Sequence, residues 1–170
     1  GKLKRFRRHV AFAKPDVIVM YDDLAAVEPA TFQFMLHALR EFTVDEKNAG
    51  ATVELPKAGL TVRYLSPAPL SFRQWDGFEP KPSKEFPNQW HLEAGTAEKR
   101  AELGMLTVMI PYRAGQKAEW TAERIESATA VGVRVTRGGK TRTIAFRKDG
   151  APGAAEAAGT KFDGAVTIGD

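Results

Sequence analysis

The sequence predicts an all-β chain folded as an antiparallel two-sheet β-sandwich. Three observations carry that reading. The 15 Gly and 10 Pro of the 170 residues divide the chain into blocks of roughly six to twelve residues, the spacing of sandwiches and barrels. Apolar residues alternate within several blocks, as they do on a half-buried strand. One hairpin is also explicit: Val131, Val133 and Val135 alternate with smaller or polar residues before Arg137-Gly138-Gly139-Lys140. A Gly-Gly centre suits a two-residue primed turn, which needs positive φ at both central positions. Closing Arg137 against Lys140 sets Val133 opposite Ile144 and Val131 opposite Phe146, so the apolar residues meet on one side.

The remaining elements follow in order. Residues 6–13 form a strand, Lys14-Pro15-Asp16 turns, and 17–22 returns as a β-branched run suited to a central position. Shorter strands are expected at 52–55, 60–65, 70–75, 89–94, 103–112 and 165–168. Segment 31–39 reads two ways. Phe32, Met35, Leu36 and Leu39 fall at helical spacing, with Pro29 placed to open a helix. The same residues also fit a strand with Phe32, Phe34 and Leu36 inward and Gln33, Met35 and His37 outward. Residues 78–87 hold Pro80, Pro82 and Pro87, which forbid ladder pairing and predict a loop. Residues 151–160 are rich in small residues and predict a mobile surface loop. No internal repeat is visible.

Length and composition fit a single domain over 1–170: 43% hydrophobic and 27% charged residues are ordinary for a globular chain. No apolar run is long enough to span a membrane, and the basic start lacks the apolar segment of a signal peptide. The chain begins with Gly1 rather than Met, and a piece of a longer polypeptide is expected. Zero Cys excludes disulfides, thiolate catalysis and Cys-ligated zinc. Lys2, Lys4, Arg5, Arg7 and Arg8 cluster, a pattern that fits an anionic partner or, more simply, a solvated strand face.

Three candidate sites can be assembled. His9, Asp22 and His37 would be metal ligands if the first 39 residues formed a three-stranded meander, since two imidazoles and a carboxylate suit a zinc-like ion. A tight first turn sets His9 opposite Met20 or Tyr21, however, which leaves Asp22 on a diagonal, and two ordinary sheet histidines are the simpler reading. Tyr21-Asp22-Asp23 has the look of a polymerase carboxylate pair but lacks the further carboxylates that chemistry needs. Trp75, Trp90 and Trp120, with Tyr64 and Tyr112, offer aromatic faces for sugar rings, although a buried core Trp is the commoner case. Trp90-His91, after the Pro-rich loop, is expected at a rim, and Trp75 has Arg73 nearby. No nucleophile elbow, P-loop, dinucleotide fingerprint or HExxH is present, and no cofactor is expected.

The run Arg8, Phe12, Lys14-Pro15-Asp16, 17–19, Asp22-Asp23 and Leu36-His37 resembles the C-terminal β-sandwich region of heparinase II/III-like polysaccharide lyases, including related alginate lyases. QWHLEAG (89–95) and LTVMIPYR (106–113) extend the resemblance over roughly 7–146. It implies a parent with an α/α toroid followed by antiparallel sheets, cleaving uronate-containing polysaccharide by β-elimination. The Tyr, His and Asn or Glu that do this work lie upstream of this chain, as does the segment supplying zinc in some members. No catalytic residue and no metal ligand therefore carries over. Segment 31–39 should be a strand. The implied role is a non-catalytic scaffold and wall of the substrate cleft, partnered by its own upstream toroid and an acidic polysaccharide, in a periplasmic or secreted bacterial-type parent, with no nucleic-acid or membrane partner. The alternatives are a free-standing carbohydrate-binding sandwich using Arg73, Trp75, Trp90 and His91, and a metal-dependent enzyme using His9, Asp22 and His37.

Overall fold

In the computed structural model, which describes residues 1–169, the Gly-Gly hairpin closes in the predicted register. Arg137 pairs with Lys140, Val133 with Ile144 and Val131 with Phe146. Both turn glycines have positive φ, 55° and 75°, as a primed turn requires. The first strands are β1 (Leu3–Ala13), β2 (Val17–Ala30), β3 (Gln33–Ala38), β4 (Thr43–Asp45), β5 (Gly50–Glu54), β6 (Ala58–Leu65) and β7 (Leu70–Asp76). After the Pro-rich segment come β8 (Trp90–Thr96), β9 (Arg100–Arg113), β10 (Trp120–Glu126), β11 (Ala130–Arg137), β12 (Lys140–Arg147), β13 (Ala155–Ala157), β14 (Thr160–Phe162) and β15 (Val166–Gly169). The described residues contain no α-helix, and none of their helical segments is long and apolar enough to cross a membrane.

The all-β antiparallel sandwich is therefore present, with its largest sheet used on both faces. That sheet has six strands in the order β1-β2-β9-β6-β5-β4. One face carries Val17, Val19, Tyr21, Leu106, Val108 and Ile110, which pack against Val131, Val133, Ile144 and Phe146 of the β10-β11-β12-β15 sheet. Alternation sends the next residues of the same strands the other way. Leu24, Leu103, Met105, Val62 and Tyr64 meet Phe34 and Ala94 of the three-stranded β3-β8-β7 sheet.

Segment 31–39 is a strand over Gln33–Ala38, with Phe32 and Phe34 buried and Gln33, Met35 and His37 on the outer face. The helical spacing loses because β8 offers a full ladder of partners, Gln33↔Gly95 through Ala38↔Trp90. The expected three-stranded meander is not formed, however. Pro29 has no N–H to donate, and the β2–β9 register shifts between Ala25 and Ala30. The chain then crosses to the other sheet, fastened by Phe32 N–H to Thr96 Oγ1 (3.1 Å) and Thr96 N–H to the Phe32 carbonyl (2.9 Å).

A second correction concerns 151–160. Ala155 and Ala157 form β13, paired with β14 and buried against Ala130 and Ala145. Small side chains here allow close sheet-to-hairpin packing rather than mobility. Residues 78–87 contain no strand. The sequence reading also missed β10, an edge strand whose polar TAERIE run hides its pattern. Its Arg124 donates to the carbonyls of Leu65 and Gly104, both at 3.0 Å, and so ties β10 to the six-stranded sheet.

The three arginines of the N-terminal basic cluster form ion pairs. Arg5 meets Asp23 at 2.8 Å, Arg7 meets Asp149, and Arg8 grips Asp22. Three of the five cations are thus paired, while Lys2 and Lys4 lie exposed at the start of the chain.

All three tyrosines are buried, with a consequence for alkaline stability. Burial, then the nearby Asp23 charge, pushes Tyr21 up to about 12. Burial, then its hydrogen bond to Glu54, does the same for Tyr112, and burial raises Tyr64. The folded state holds these phenols neutral while the unfolded chain releases their protons above about pH 10. The stabilisation is complete below that pH and is lost as pH rises through the folded values. Tyrosinate absorbance is expected to appear together with unfolding. A phenol ionising near pH 10 in the folded protein would contradict this.

Candidate functional site

The outer face of the β3-β8-β7 sheet carries the densest group of chemically useful side chains. Ladder pairing places them: His37 lies opposite His91, which lies opposite Trp75. The Trp75 and His91 rings stack with centroids 5.3 Å apart and an interplanar angle of 12°. His37 meets His91 edge-on at 4.6 Å, and Phe78 meets it edge-on at 5.7 Å. Above Trp75 the Arg73 guanidinium sits 4.5 Å from the ring centroid, while its Nη2 donates to Glu93 Oε2 at 3.0 Å. The result is a continuous stack of Arg73, Trp75 and His91.

The segment after β7 is pinned at its neck over this stack. Gly77 N–H donates to the Gln89 carbonyl (2.9 Å), and Asn88 Nδ2 donates to Asp76 Oδ2 (3.0 Å). His91 Nε2 lies 2.6 Å from the Gly77 carbonyl. A carbonyl only accepts, so Nε2 carries the hydrogen. Gly77 has φ of 87°, the left-handed region that glycine enters without a Cβ penalty. Under this neck lies an open groove of about 570 Å³ lined by Arg73, Trp75, Phe78, Glu79, Pro80 and His91.

Comparison with known proteins adds the fold's relatives. No family model matches the sequence, and no curated protein does. Solved structures do match in shape. A heparinase III crystal structure superposes with a TM-score of 0.68 at 16% identity, covering 86% of this chain and 24% of that one. The chain has the fold of about a quarter of that structure. A second heparinase III gives 0.67 at 11% identity over 84% and 24% of the two chains. Heparan sulfate lyase HepC from Pedobacter heparinus gives 0.60 at 14% identity, over 83% of this chain and 23% of that one. The chain thus spans about a quarter of the length of each of these structures.

Within this sandwich the sequence-derived sites fare unequally. Arg73, Trp75 and His91 come together. Their roles differ, because Arg73 is exposed and Trp75 half-buried, whereas His91 is buried at 8% and backs the Trp75 ring instead of presenting itself. Trp90 does not join this stack. One residue away on β8, it faces inward and packs with the cluster of Phe42, Ala51, Val53 and Leu92. Trp120 donates its Nε1–H to Thr61 Oγ1 at 2.8 Å and packs against the main core.

The metal constellation is not assembled. His9 pairs with Tyr21 and lies beside Tyr21 and Phe146, on the face toward the β10-β11-β12-β15 sheet. Asp22 points to the opposite face, where Arg8 holds both its oxygens at 2.6 and 2.8 Å. His37 belongs to a different sheet. Among the described residues no group of three His, Asp or Glu side chains is placed to share an ion. His37 instead completes the aromatic face, a role that depends on the β3–β8 pairing, which the first 39 residues alone do not specify. Tyr21 is the tyrosine next to a histidine, but it is buried and its high pKa opposes service as a base near neutral pH.

Proposed function

We propose that this chain is the non-catalytic sandwich domain of a polysaccharide lyase, and that its outer β3-β8-β7 face forms a wall that contacts an acidic polysaccharide. The observation that carries the reading is the Arg73–Trp75–His91 stack beside an open groove. The guanidinium stacked on Trp75 suits a carboxylate or sulfate, and the half-exposed edge of the Trp75 ring offers the sugar an apolar contact. The fold likeness to two heparinase III structures and a heparan sulfate lyase supports this substrate class. The elimination chemistry belongs to an upstream toroid, which completes the active protein. A parent acting on such a polymer works in the periplasm or outside the cell.

A calorimetric titration of the chain with heparan sulfate oligosaccharide tests the wall. Saturable binding is expected, weakened about tenfold by Trp75→Ala, a loss of ~1.4 kcal/mol, and weakened again by Arg73→Ala. A neutral glucan of equal length should bind less tightly, since it lacks the anion that Arg73 recognises. Undetectable binding, or affinity unchanged by Trp75→Ala, would leave the domain a scaffold only. The same titration separates the free-standing binding module: a module binds fully without any further domain, whereas a wall gains affinity when the toroid is attached.

A further inference from the structure

We infer that the apolar cavity beside the Trp75 stack is a subsite for a short acyl group carried by a sugar, an acetamido group or an acetyl ester. The inference rests on the wall reading and makes it more specific. The cavity, of about 440 Å³, lies between the end of β3 and the β5–β6 hairpin, and its size falls within the range of small-ligand sites. Leu39, Val53, Leu55, Ala58 and Leu60 form its walls. Alternation explains the hairpin's share, since Val53 and Leu55 on one arm, and Ala58 and Leu60 on the other, are each two residues apart.

The space exists because neighbouring elements end at different places. β3 stops at Ala38, while the hairpin runs on past Val53 to its turn between Leu55 and Ala58. Phe42, Ala51, Val53 and Leu92 fill the interior, with Leu36, Ala38 and Leu60 packed against them. Past that cluster the apolar side chains open to solvent: Leu39 is 55% exposed, and Ala58 is exposed too. The walls are nevertheless fixed. Leu55 N–H donates to the Ala58 carbonyl at 2.8 Å, and Ala114 N–H to the Lys57 carbonyl at 3.1 Å. Behind the hairpin the Tyr112 ring occupies the place a Cβ on Gly59 would take, and its hydroxyl donates to Glu54 at 2.9 Å. A preformed wall loses little freedom when a ligand enters.

Position and chemistry together choose the ligand. His37 lines the cavity and meets His91 edge-on at 4.6 Å, and His91 in turn stacks on Trp75 at 5.3 Å. Gln89, whose carbonyl holds the neck through Gly77 N–H, lines it as well. A glycan lying against Trp75 thus presents a neighbouring sugar to the cavity. No charged side chain lines it, so a sulfate or carboxylate would lose water there without gaining a counter-ion. His37 and Gln89 carry the only polar side chains of the lining, and among the described residues neither side chain hydrogen-bonds the protein. An acyl group meets both conditions. Its methyl lies against the Leu and Val walls, and its carbonyl accepts from the Gln89 amide or the His37 ring N–H. A long alkyl chain would leave those donors unused, and a bare sugar hydroxyl would leave the walls wet.

Methyl-resolved NMR with small glycosides is the test. Methyl N-acetylglucosaminide and an O-acetylated methyl glucoside are the probes, and methyl glucoside is the control. The Val53, Leu55 and Leu60 methyls should shift saturably with an acyl probe, which binds about tenfold more tightly than the control. The tighter of the two probes identifies the linkage. Ala58→Phe, which fills the cavity, should abolish these shifts. Leu39→Asp, at an exposed position, should weaken binding about tenfold and gives the reading if Ala58→Phe does not fold. Equal shifts from methyl glucoside, shifts that survive Ala58→Phe, or no shift with either acyl probe would overturn the inference. The two readings fail separately. Cavity methyls that respond to an acyl probe, in a chain whose Trp75 ignores heparan sulfate oligosaccharide, would sink the wall and leave the acyl subsite standing. A Trp75 that responds while the cavity methyls stay silent would do the reverse.

Discussion

Phe146→Ala is expected to destabilise the chain by about 4 kcal/mol, within the range for emptying a buried phenylalanine site. Phe146 is fully buried. Its ring lies 5.8 Å from Tyr21 and 5.9 Å from His9, and it sits opposite Val131 in its own sheet. It is thus the side chain through which β12 locks onto β1 and β2 across the sandwich. Removing it leaves a cavity between two sheets that are each rigid, so little collapse can fill the space. Urea denaturation should show a lower midpoint with an unchanged slope, the sign of lost stability without a changed unfolded state. Phe146→Leu, which keeps most of the volume, should lose less than half as much. A loss below about 1 kcal/mol for Phe146→Ala would mean that the sheets are not interlocked there.

Arg8→Ala should cost about 3 kcal/mol, because it strands a buried carboxylate. Asp22 is 2% exposed and receives both its hydrogen bonds from the Arg8 fork. Arg8 itself is partly exposed, which places the loss toward the lower end for a broken buried pair. The double variant Arg8→Ala/Asp22→Asn should recover more than half of the loss, since the unpaired charge is gone. Arg8→Lys should not restore wild-type stability, because an ammonium cannot make two parallel bonds to one carboxylate. Equal losses in the single and double variants, measured by thermal unfolding, would show that the charge is not the source.

These two residues also mark how far the sequence could be read. The Val131–Phe146 register followed from a Gly-Gly turn, where local geometry and alternation dictate the same pairing. The Lys14-Pro15-Asp16 turn likewise fixes Ala13↔Val17, and with it Arg8↔Asp22. The signal for this ion pair is thus local, and it competes with the reading of Asp22 as a metal ligand. Segment 31–39 is different in kind. Its helical and strand patterns compete locally, and β8, more than fifty residues away in the chain, decides between them.

The candidate site was legible in part for the same reason. Arg73 and Trp75 share a face by simple alternation on one strand. Trp90 and His91 lie on opposite faces of β8, because successive residues on a strand point to opposite faces. His37 joins the group only through long-range pairing, which no local pattern encodes. The Ala-rich 151–160 segment misled because small residues serve close packing as readily as they serve mobility.

Chemical-shift mapping with a heparan sulfate oligosaccharide tests the central claim most directly, and the three tryptophan indole N–H signals give it internal controls. The Trp75 indole should shift in a saturable way, together with Arg73 and the backbone of β7 and β8. The Trp90 and Trp120 indoles, partly buried against other core clusters, should stay fixed. Saturable shifts confined to other surfaces, or no shift at Trp75 at saturating ligand, would contradict the account.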